Sequence, residues 1–193
     1  NMEKQTECRT KVKEASNLLL ELVNEVLDMS KLEADEVVLE EIPFNLSRIS
    51  EEVLVVIEQI AAEQNIRIVW EKKDITHRAL IGSPGHVKRV MMNILSNAVK
   101  YTLKGTVTIT VSEEKKLTVT DTGMGIAPED LPRIFEKGYT GYNGRMERKS
   151  TGIGLYLSQM AAKKLGHQIT VVSKLGEGSS FTIDLAEYPL RTE

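Results

Sequence analysis

The sequence predicts an α+β sandwich, a mixed sheet with helices on one face, preceded by one long helix. Three observations carry this reading. Strand-like and helix-like stretches segregate along the chain instead of alternating one for one. The stretch from Met2 to Ala34 contains no Pro or Gly and spaces its apolar residues as a helix does. With 41% apolar and 27% charged residues in 193, the chain can bury a core and is neither disordered nor fibrous.

In the first segment, Val12, Ala15, Leu19, Leu22, Val26 and Met29 fall at alternating spacings of three and four, the a/d stripe of a coiled-coil-like helix. Leu18 and Leu32 widen the stripe, and Lys11, Lys13, Glu14, Glu21 and Lys31 cover the other faces. Such a stripe has to be buried, either against a second copy or against its own domain. An extended stretch follows over Val37–Phe44, closed by Pro43. Asn45 or Ser47 caps a second helix to about Glu63, with Ile49, Val53, Val56, Ile57 and Ile60 as its buried face. Ile66–Glu71 alternates as a half-buried strand, Ala79–Ile81 is another short strand, and Gly82-Ser83-Pro84-Gly85 is a turn. A third helix spans about His86–Tyr101. Strands over Thr106–Val111 and Leu117–Thr120 lead to a glycine-rich turn, a short helix near Pro128–Phe135 and a polar, glycine-rich stretch from Gly138 to Ser150. A fourth helix over Thr151–Leu165 and strands over Gln168–Ser173 and Ser180–Leu185 complete the domain, with no internal repeat.

Charge and composition exclude several functions. Lys and Arg number 25 against 28 Asp and Glu, a formal net charge of −3 without a basic block, which argues against nucleic acid or an anionic membrane surface as partner. Aromatic residues are only 5%, too few for a base-stacking platform. No apolar run approaches the roughly 18 to 20 residues that span a bilayer, so this stretch is expected to be soluble, without a signal peptide. The single Cys8 forms neither an internal disulfide nor a thiolate metal site, which makes a reducing, cytoplasmic setting the default.

Three segments have compositions that packing does not explain. Asn93, Asn97 and Lys100 lie at i, i+4 and i+7 on one face of the third helix, beside Tyr101, while Met91, Ile94, Leu95, Ala98 and Val99 supply the packing face. Two carboxamides and an ammonium on one face offer neutral oxygens to hydrated Mg²⁺ and a cation to phosphate, although such a face is often merely solvated. Asp121-Thr122-Gly123-Met124-Gly125-Ile126 follows an apolar strand. It is either a carboxylate that accepts from an amine-bearing ring beside closely approaching backbone, or a turn using Asp and Gly for geometry alone. Ser150-Thr151-Gly152-Ile153-Gly154-Leu155 opens a helix whose free N–H groups form an anion site. It lacks the Lys-Ser/Thr of a P-loop and follows no strand, which disfavours both common glycine-loop nucleotide folds. Ahead of it, Gly138, Gly141 and Gly144 with Lys137, Arg145, Arg148 and Lys149 read as a locally basic lid, or else as a solvated loop.

The order Asn93-x-x-x-Asn97-Ala98-x-Lys100-Tyr101, Asp121-x-Gly123-x-Gly125, Phe135-Glu136, Thr151-Gly152-x-Gly154-Leu155 and Gly176-x-Gly178-Ser179-x-Phe181 resembles the catalytic ATP-binding domain of sensor histidine kinases over about Phe44–Leu185. The segment Leu27-Asp28-Met29-Ser30-Lys31-Leu32-Glu33 is similar to the end of the second helix of their dimerisation and phosphoacceptor hairpin. The resemblance implies a partial dimerisation helix over 1–36 and a catalytic domain over 37–193. The implied fold is the Bergerat sandwich shared with gyrase, Hsp90 and MutL, with a mostly antiparallel mixed sheet. It implies that Asn93 holds Mg²⁺, Asn97 sits near the phosphates of ATP, Lys100 reaches a phosphate and Tyr101 packs by adenine or ribose. Asp121 would accept from the adenine amino group, with Gly123, Gly125 and Ile126 lining the base pocket. Thr151, Gly152, Ile153, Gly154 and Leu155 would cradle the phosphates. ATP-hydrolysing relatives carry Glu where Asn93 stands; a neutral carboxamide cannot take a proton from water, which favours transfer to a histidine.

Some positions depart from the pattern. His77, His86 and His167 all lack the family's phosphoacceptor context, so the acceptor is expected on a helix outside this stretch. Ser150 stands where many members have Gly, and Ser83 where they often have Asp. The residues Phe135–Gly141 and Lys149–Gly152 look like the small bacitracin-resistance type of kinase, the first helix like large hybrid kinases, and the two stay open. The Ser112–Lys116 connection reads as a short hairpin. The implied partners are the acceptor helix, a second copy and a response-regulator receiver domain, with the parent protein anchored in a bacterial plasma membrane. The competing readings are an ATPase of the same fold and a non-catalytic nucleotide-sensing module.

Overall fold

The computed structural model describes residues 2–34, 39–72, 80–112, 116–141 and 150–185. Val37, Ala79, the hairpin tip within Ser112–Lys116, the lid residues Gly144, Arg145, Arg148 and Lys149, His77, and the side chains of Leu18, Leu22 and Leu32 lie outside the described residues. The chain divides into two compact units, Asn1–Val37 and Val38–Glu193.

The first unit contains α1, Met2–Glu33. Val12, Leu19 and Val26, seven residues apart along the expected stripe, are 61%, 62% and 48% exposed. The second unit begins with β1 (Ile42–Phe44), α2 (Leu46–Glu63), β2 (Arg67–Lys72), β3 (Leu80–Gly82) and α3 (Pro84–Tyr101). It continues through β4 (Thr106–Val111), β5 (Lys116–Asp121), a single 3-10 turn at Leu131–Arg133, α4 (Gly154–Lys164), β6 (Gln168–Lys174) and β7 (Gly178–Asp184).

The main sheet runs in the order β2-β4-β5-β7-β6, parallel between β2 and β4 and antiparallel elsewhere, while β1 and β3 form a separate antiparallel pair. This is the expected mixed sheet. Alternation decides its faces. Val107, Ile109, Val111, Leu117, Val119, Phe181 and Ile183 are buried on one side, where α2, α3 and α4 pack. Hydroxyls occupy the other, with Thr118 Oγ1 3.0 Å from Thr182 Oγ1 and Thr120 Oγ1 3.0 Å from Ser180 Oγ.

Asn45 caps α2, its side chain accepting from the Arg48 amide at 3.3 Å. The buried stripe of α2 differs from the expected one: Val56 is 43% exposed, and Leu54 takes the place beside Val53 and Ile57. α3 begins at Pro84, two residues before the expected start, because proline's fixed φ suits the first helical turn. The expected helix at Pro128–Phe135 contracts to one 3-10 turn containing Pro132, whose ring and missing N–H block helix growth on its N-terminal side.

Candidate functional site

α3 is the backbone of the site. Its inward stripe of Val87, Val90, Met91, Ile94, Leu95, Ala98 and Val99 is buried, each large side chain contributing about 1.5–3 kcal/mol relative to exposure. The 3.6-residue period then leaves Asn93, Asn97, Lys100 and Tyr101 half-buried on the flank.

Asn93 reaches α4. Its Nδ2 donates to the Gly154 carbonyl at 3.2 Å and to Ser158 Oγ at 3.2 Å, and Ser158 Oγ donates to the same carbonyl at 2.9 Å. A carbonyl only accepts, which fixes the amide nitrogen toward Gly154. The carboxamide oxygen accepts no hydrogen bond among the described residues. Lys100 Nζ donates to Ser150 Oγ at 2.9 Å, and Tyr101 Oη lies 2.6 Å from the same hydroxyl. The Asn97 side chain makes no hydrogen bond among the described residues. No group of three or more His, Cys, Asp or Glu among them converges as a metal site.

Asp121 owes its position to strand parity. As the last residue of β5 it shares the inward face with Leu117 and Val119, and it is only 5% exposed. Its Oδ1 accepts from the Gly123 amide at 2.9 Å and the Ser179 amide at 3.3 Å. Burial pushes this carboxyl above the ordinary aspartate range, and the two amide donors oppose the shift.

The glycine-rich turn after Asp121 is threaded between two backbones. A Cβ on Gly123 would overlap the Tyr101 carbonyl, which accepts from the Met124 amide at 3.1 Å. Gly125 has φ +67°, and a Cβ there would overlap the Lys174 carbonyl. The Ile126 amide donates to Ser173 Oγ at 2.9 Å, and Ser173 Oγ donates to the Gly178 carbonyl at 2.8 Å. Ile126 itself packs against the core.

The second glycine segment differs from expectation. The helix starts at Gly154, not Thr151, because Gly152 adopts φ +69°, outside helical geometry. Thr151 Oγ1 accepts from the Ile153 amide at 3.2 Å, Ile153 is the N-cap, and Leu155 packs against the core. The Gly138 amide donates to the Gly152 carbonyl at 3.0 Å, and a Cβ on Gly152 would lie 2.7 Å from the Tyr139 nitrogen. Both ends of the glycine-rich stretch are thereby tied together. Tyr139 is held further by Asp130, which accepts from its hydroxyl, and by Arg133, whose guanidinium stands 4.3 Å from the ring centroid.

The structure thus brings Asn93 to Gly154, Lys100 and Tyr101 to Ser150, Gly123 to the Tyr101 carbonyl, and Asp121, Gly125 and Ile126 to the β6–β7 hairpin. Ser150, Ser158, Ser173 and Ser179 supply the connections. Of these, Ser150 and Ser179 lie inside the sequence motifs and Ser158 and Ser173 outside them. The site offers a nearly buried carboxylate, carboxamide oxygens, and an ammonium beside a helix start, a set suited to a ring bearing N–H groups joined to an anionic, metal-associated tail.

Comparison with known proteins identifies the family. Residues 82–189 match the family described as histidine kinase-, DNA gyrase B-, and HSP90-like ATPase. The sensor histidine kinase GacS of Pseudomonas protegens is 31% identical over 184 residues, which cover 90% of this chain and 20% of that protein. The circadian input-output histidine kinase CikA of Synechococcus elongatus is 31% identical over 97% of this chain and 26% of its own length. The chain spans about a fifth to a quarter of the length of these relatives. Among solved structures, full-length ShkA in complex with AMPPNP has a TM-score of 0.78 at 28% identity, covering 90% of this chain and 37% of that one. No helix among the described residues is long and apolar enough to cross a membrane.

Proposed function

The chain belongs to the histidine kinase-, DNA gyrase B- and HSP90-like ATPase family and carries an ATPase domain of the sensor histidine kinase type. On that premise we propose that it is the catalytic portion of a two-component kinase, with residues 1–36 part of the dimerisation and phosphoacceptor domain and 37–193 the catalytic domain. Bound Mg²⁺-ATP supplies the γ-phosphoryl group, which passes to a histidine nitrogen with ADP as the leaving group.

This chain's own residues hold and orient. Asp121 accepts from the exocyclic amine of adenine, in a pocket lined by Gly123, Gly125 and Ile126 with Tyr101 beside the sugar or base. Lys100 and the backbone of Thr151, Gly152, Ile153, Gly154 and Leu155 receive the phosphates, with Asn97 beside them. Asn93 holds the Mg²⁺ through its carboxamide oxygen.

The observation that carries the proposal is the seating of Asn93, whose nitrogen is committed to Gly154 and Ser158 while its oxygen accepts nothing from the described residues. A neutral carboxamide there ligates a cation but cannot deprotonate water, which supports transfer over hydrolysis. The partners that follow are an acceptor helix in a homodimer, packed through the stripe of α1, and a receiver domain that takes the phosphoryl group onto Asp. The parent protein works from a bacterial plasma membrane.

Titration with ATP, with and without Mg²⁺, followed by incubation with a supplied acceptor hairpin, tests this reading. Mg²⁺-dependent binding with label on the hairpin is expected. Binding without transfer would make the chain a nucleotide-sensing module, and free phosphate without label would make it an ATPase.

A further inference from the structure

We infer that Ser150 is a positioning residue for the triphosphate end of the nucleotide, acting through Lys100. The inference rests on the ATP-binding reading above and deepens it, since no role has been attached to this position.

Ser150 Oγ is the meeting point of two side chains from the end of α3, Lys100 Nζ at 2.9 Å and Tyr101 Oη at 2.6 Å. Lys100 Nζ also stands 5.5 Å from the centroid of the Tyr101 ring. The hydroxyl precedes Thr151 and Gly152, and the Gly152 carbonyl accepts from the Gly138 amide at 3.0 Å, so Ser150 belongs to the joined base of the glycine-rich stretch.

A lysine side chain has four rotatable carbons and loses about 2 kcal/mol of rotamer freedom when its ammonium is fixed. Ser150 fixes it before any ligand arrives. An ammonium has three protons, so a bond to Ser150 does not by itself use up its donors. The hydroxyl therefore aims Lys100 without competing for it, and preorganisation of this kind strengthens binding of the group that the lysine meets. Glycine, frequent at this position in the family, supplies the backbone but not the hydroxyl. Asp121 shares no hydrogen bond with Ser150 among the described residues, and only Tyr101 links this hydroxyl to the base side, so the larger effect falls on phosphate.

The test compares the wild-type chain with Ser150→Ala and Ser150→Thr, titrated separately with Mg²⁺-ATP and with adenosine, which has the base and no phosphate. Ser150→Ala should weaken ATP about tenfold, as expected for losing a hydrogen bond to a charged group, and adenosine, which meets only Tyr101, by no more than about threefold. Retained adenosine binding also reports a folded base pocket. Ser150→Thr, which keeps the hydroxyl, should restore ATP binding. Unchanged or tighter ATP binding in Ser150→Ala, or equal losses of ATP and adenosine, would overturn this inference alone. A wild-type chain that binds neither ligand would overturn the proposed function itself, and this inference with it.

Discussion

Asn93 on α3 donates to Ser158 on α4, 3.2 Å away in space and 65 positions away in sequence. Both groups also converge on the Gly154 carbonyl, so one polar contact joins the helix that bears the carboxamides to the helix that follows the glycine segment. Replacing Ser158 by Ala leaves Asn93 with one partner of two and frees its rotamer. The expected result is a three- to tenfold fall in phosphotransfer, about what one neutral hydrogen bond is worth, with the thermal midpoint little changed. Asn93→Asp places a carboxylate oxygen against a carbonyl that only accepts, and transfer should fall by about a hundredfold or more. Rates from a labelled-ATP time course on the three proteins check both.

Asp121 titrates in a direction that separates stability from binding. Its folded pKa lies above the ordinary value because of burial, despite the Gly123 and Ser179 amides. As pH rises through the window from about 3.8 up to the raised value, the unfolded chain releases the proton first, so the stability contributed by this group is present at low pH and lost on the way up. Binding runs the other way, since the ionised carboxylate accepts best from adenine in addition to the two backbone amides. Nucleotide affinity should therefore begin to fall, on acidification, at a higher pH than an ordinary aspartate predicts. Asp121→Asn should abolish that pH dependence, weaken ATP, and leave the melting temperature equal to or above that of the wild type. A large drop in melting temperature would contradict the assignment of burial as the dominant cause.

How much of this was legible in the sequence depended on whether a residue's role is periodic. β4 lies where its alternation puts it, and the inward parity of Asp121 follows from counting back to Leu117. The composition around Asn93, Lys100, Asp121 and the glycines singles out the candidate site in the sequence alone. The serines were silent, because a hydroxyl carries neither charge nor apolar periodicity, and Ser150 and Ser158 find their partners 49 to 65 positions away. The start of α4 was misjudged for a related reason: Gly152 reads as a helix opener until its backbone is seen at φ +69°, held by the packing of Gly138 and Tyr139. Val56 looked buried because one valine on a helix fits either of two neighbouring stripes.

Gly176 and Gly178 separate backbone conformation from close approach. Both have positive φ, +82° and +113°, but a Cβ on Gly176 meets nothing within 4 Å, whereas one on Gly178 would overlap the Asp121 carbonyl. Gly176→Ala should lower unfolding free energy by about 1 kcal/mol, the cost of a left-handed alanine. Gly178→Ala should lower it by about 3 kcal/mol or more, because the overlap forces β7 away from Asp121. Urea denaturation of the two variants gives the difference directly, and equal losses would show that close approach contributes nothing.

His167 links acid to unfolding. Burial holds its pKa below the ordinary histidine range, opposed by the nearby Asp184 carboxylate, which in turn lies 3.8 Å from Lys116. Below about pH 6.5 the unfolded chain takes up a proton that the folded chain refuses, so stability falls as pH drops through the window down to the folded pKa. Melting curves between pH 7.5 and about 5 should show this slope, and His167→Asn should flatten it. A wild-type midpoint that rises over the same interval would contradict the burial of His167.

Transfer of the γ-phosphoryl group of Mg²⁺-ATP to a supplied acceptor hairpin is the most direct measurement of the central claim. The wild-type chain should place acid-labile, base-stable label on the hairpin histidine, and Asn93→Ala should not, while His86 and His167 of the catalytic chain remain unmodified by mass spectrometry. Labelled hairpin at the same rate with Asn93→Ala, or phosphate released to water with no labelled hairpin, would contradict it.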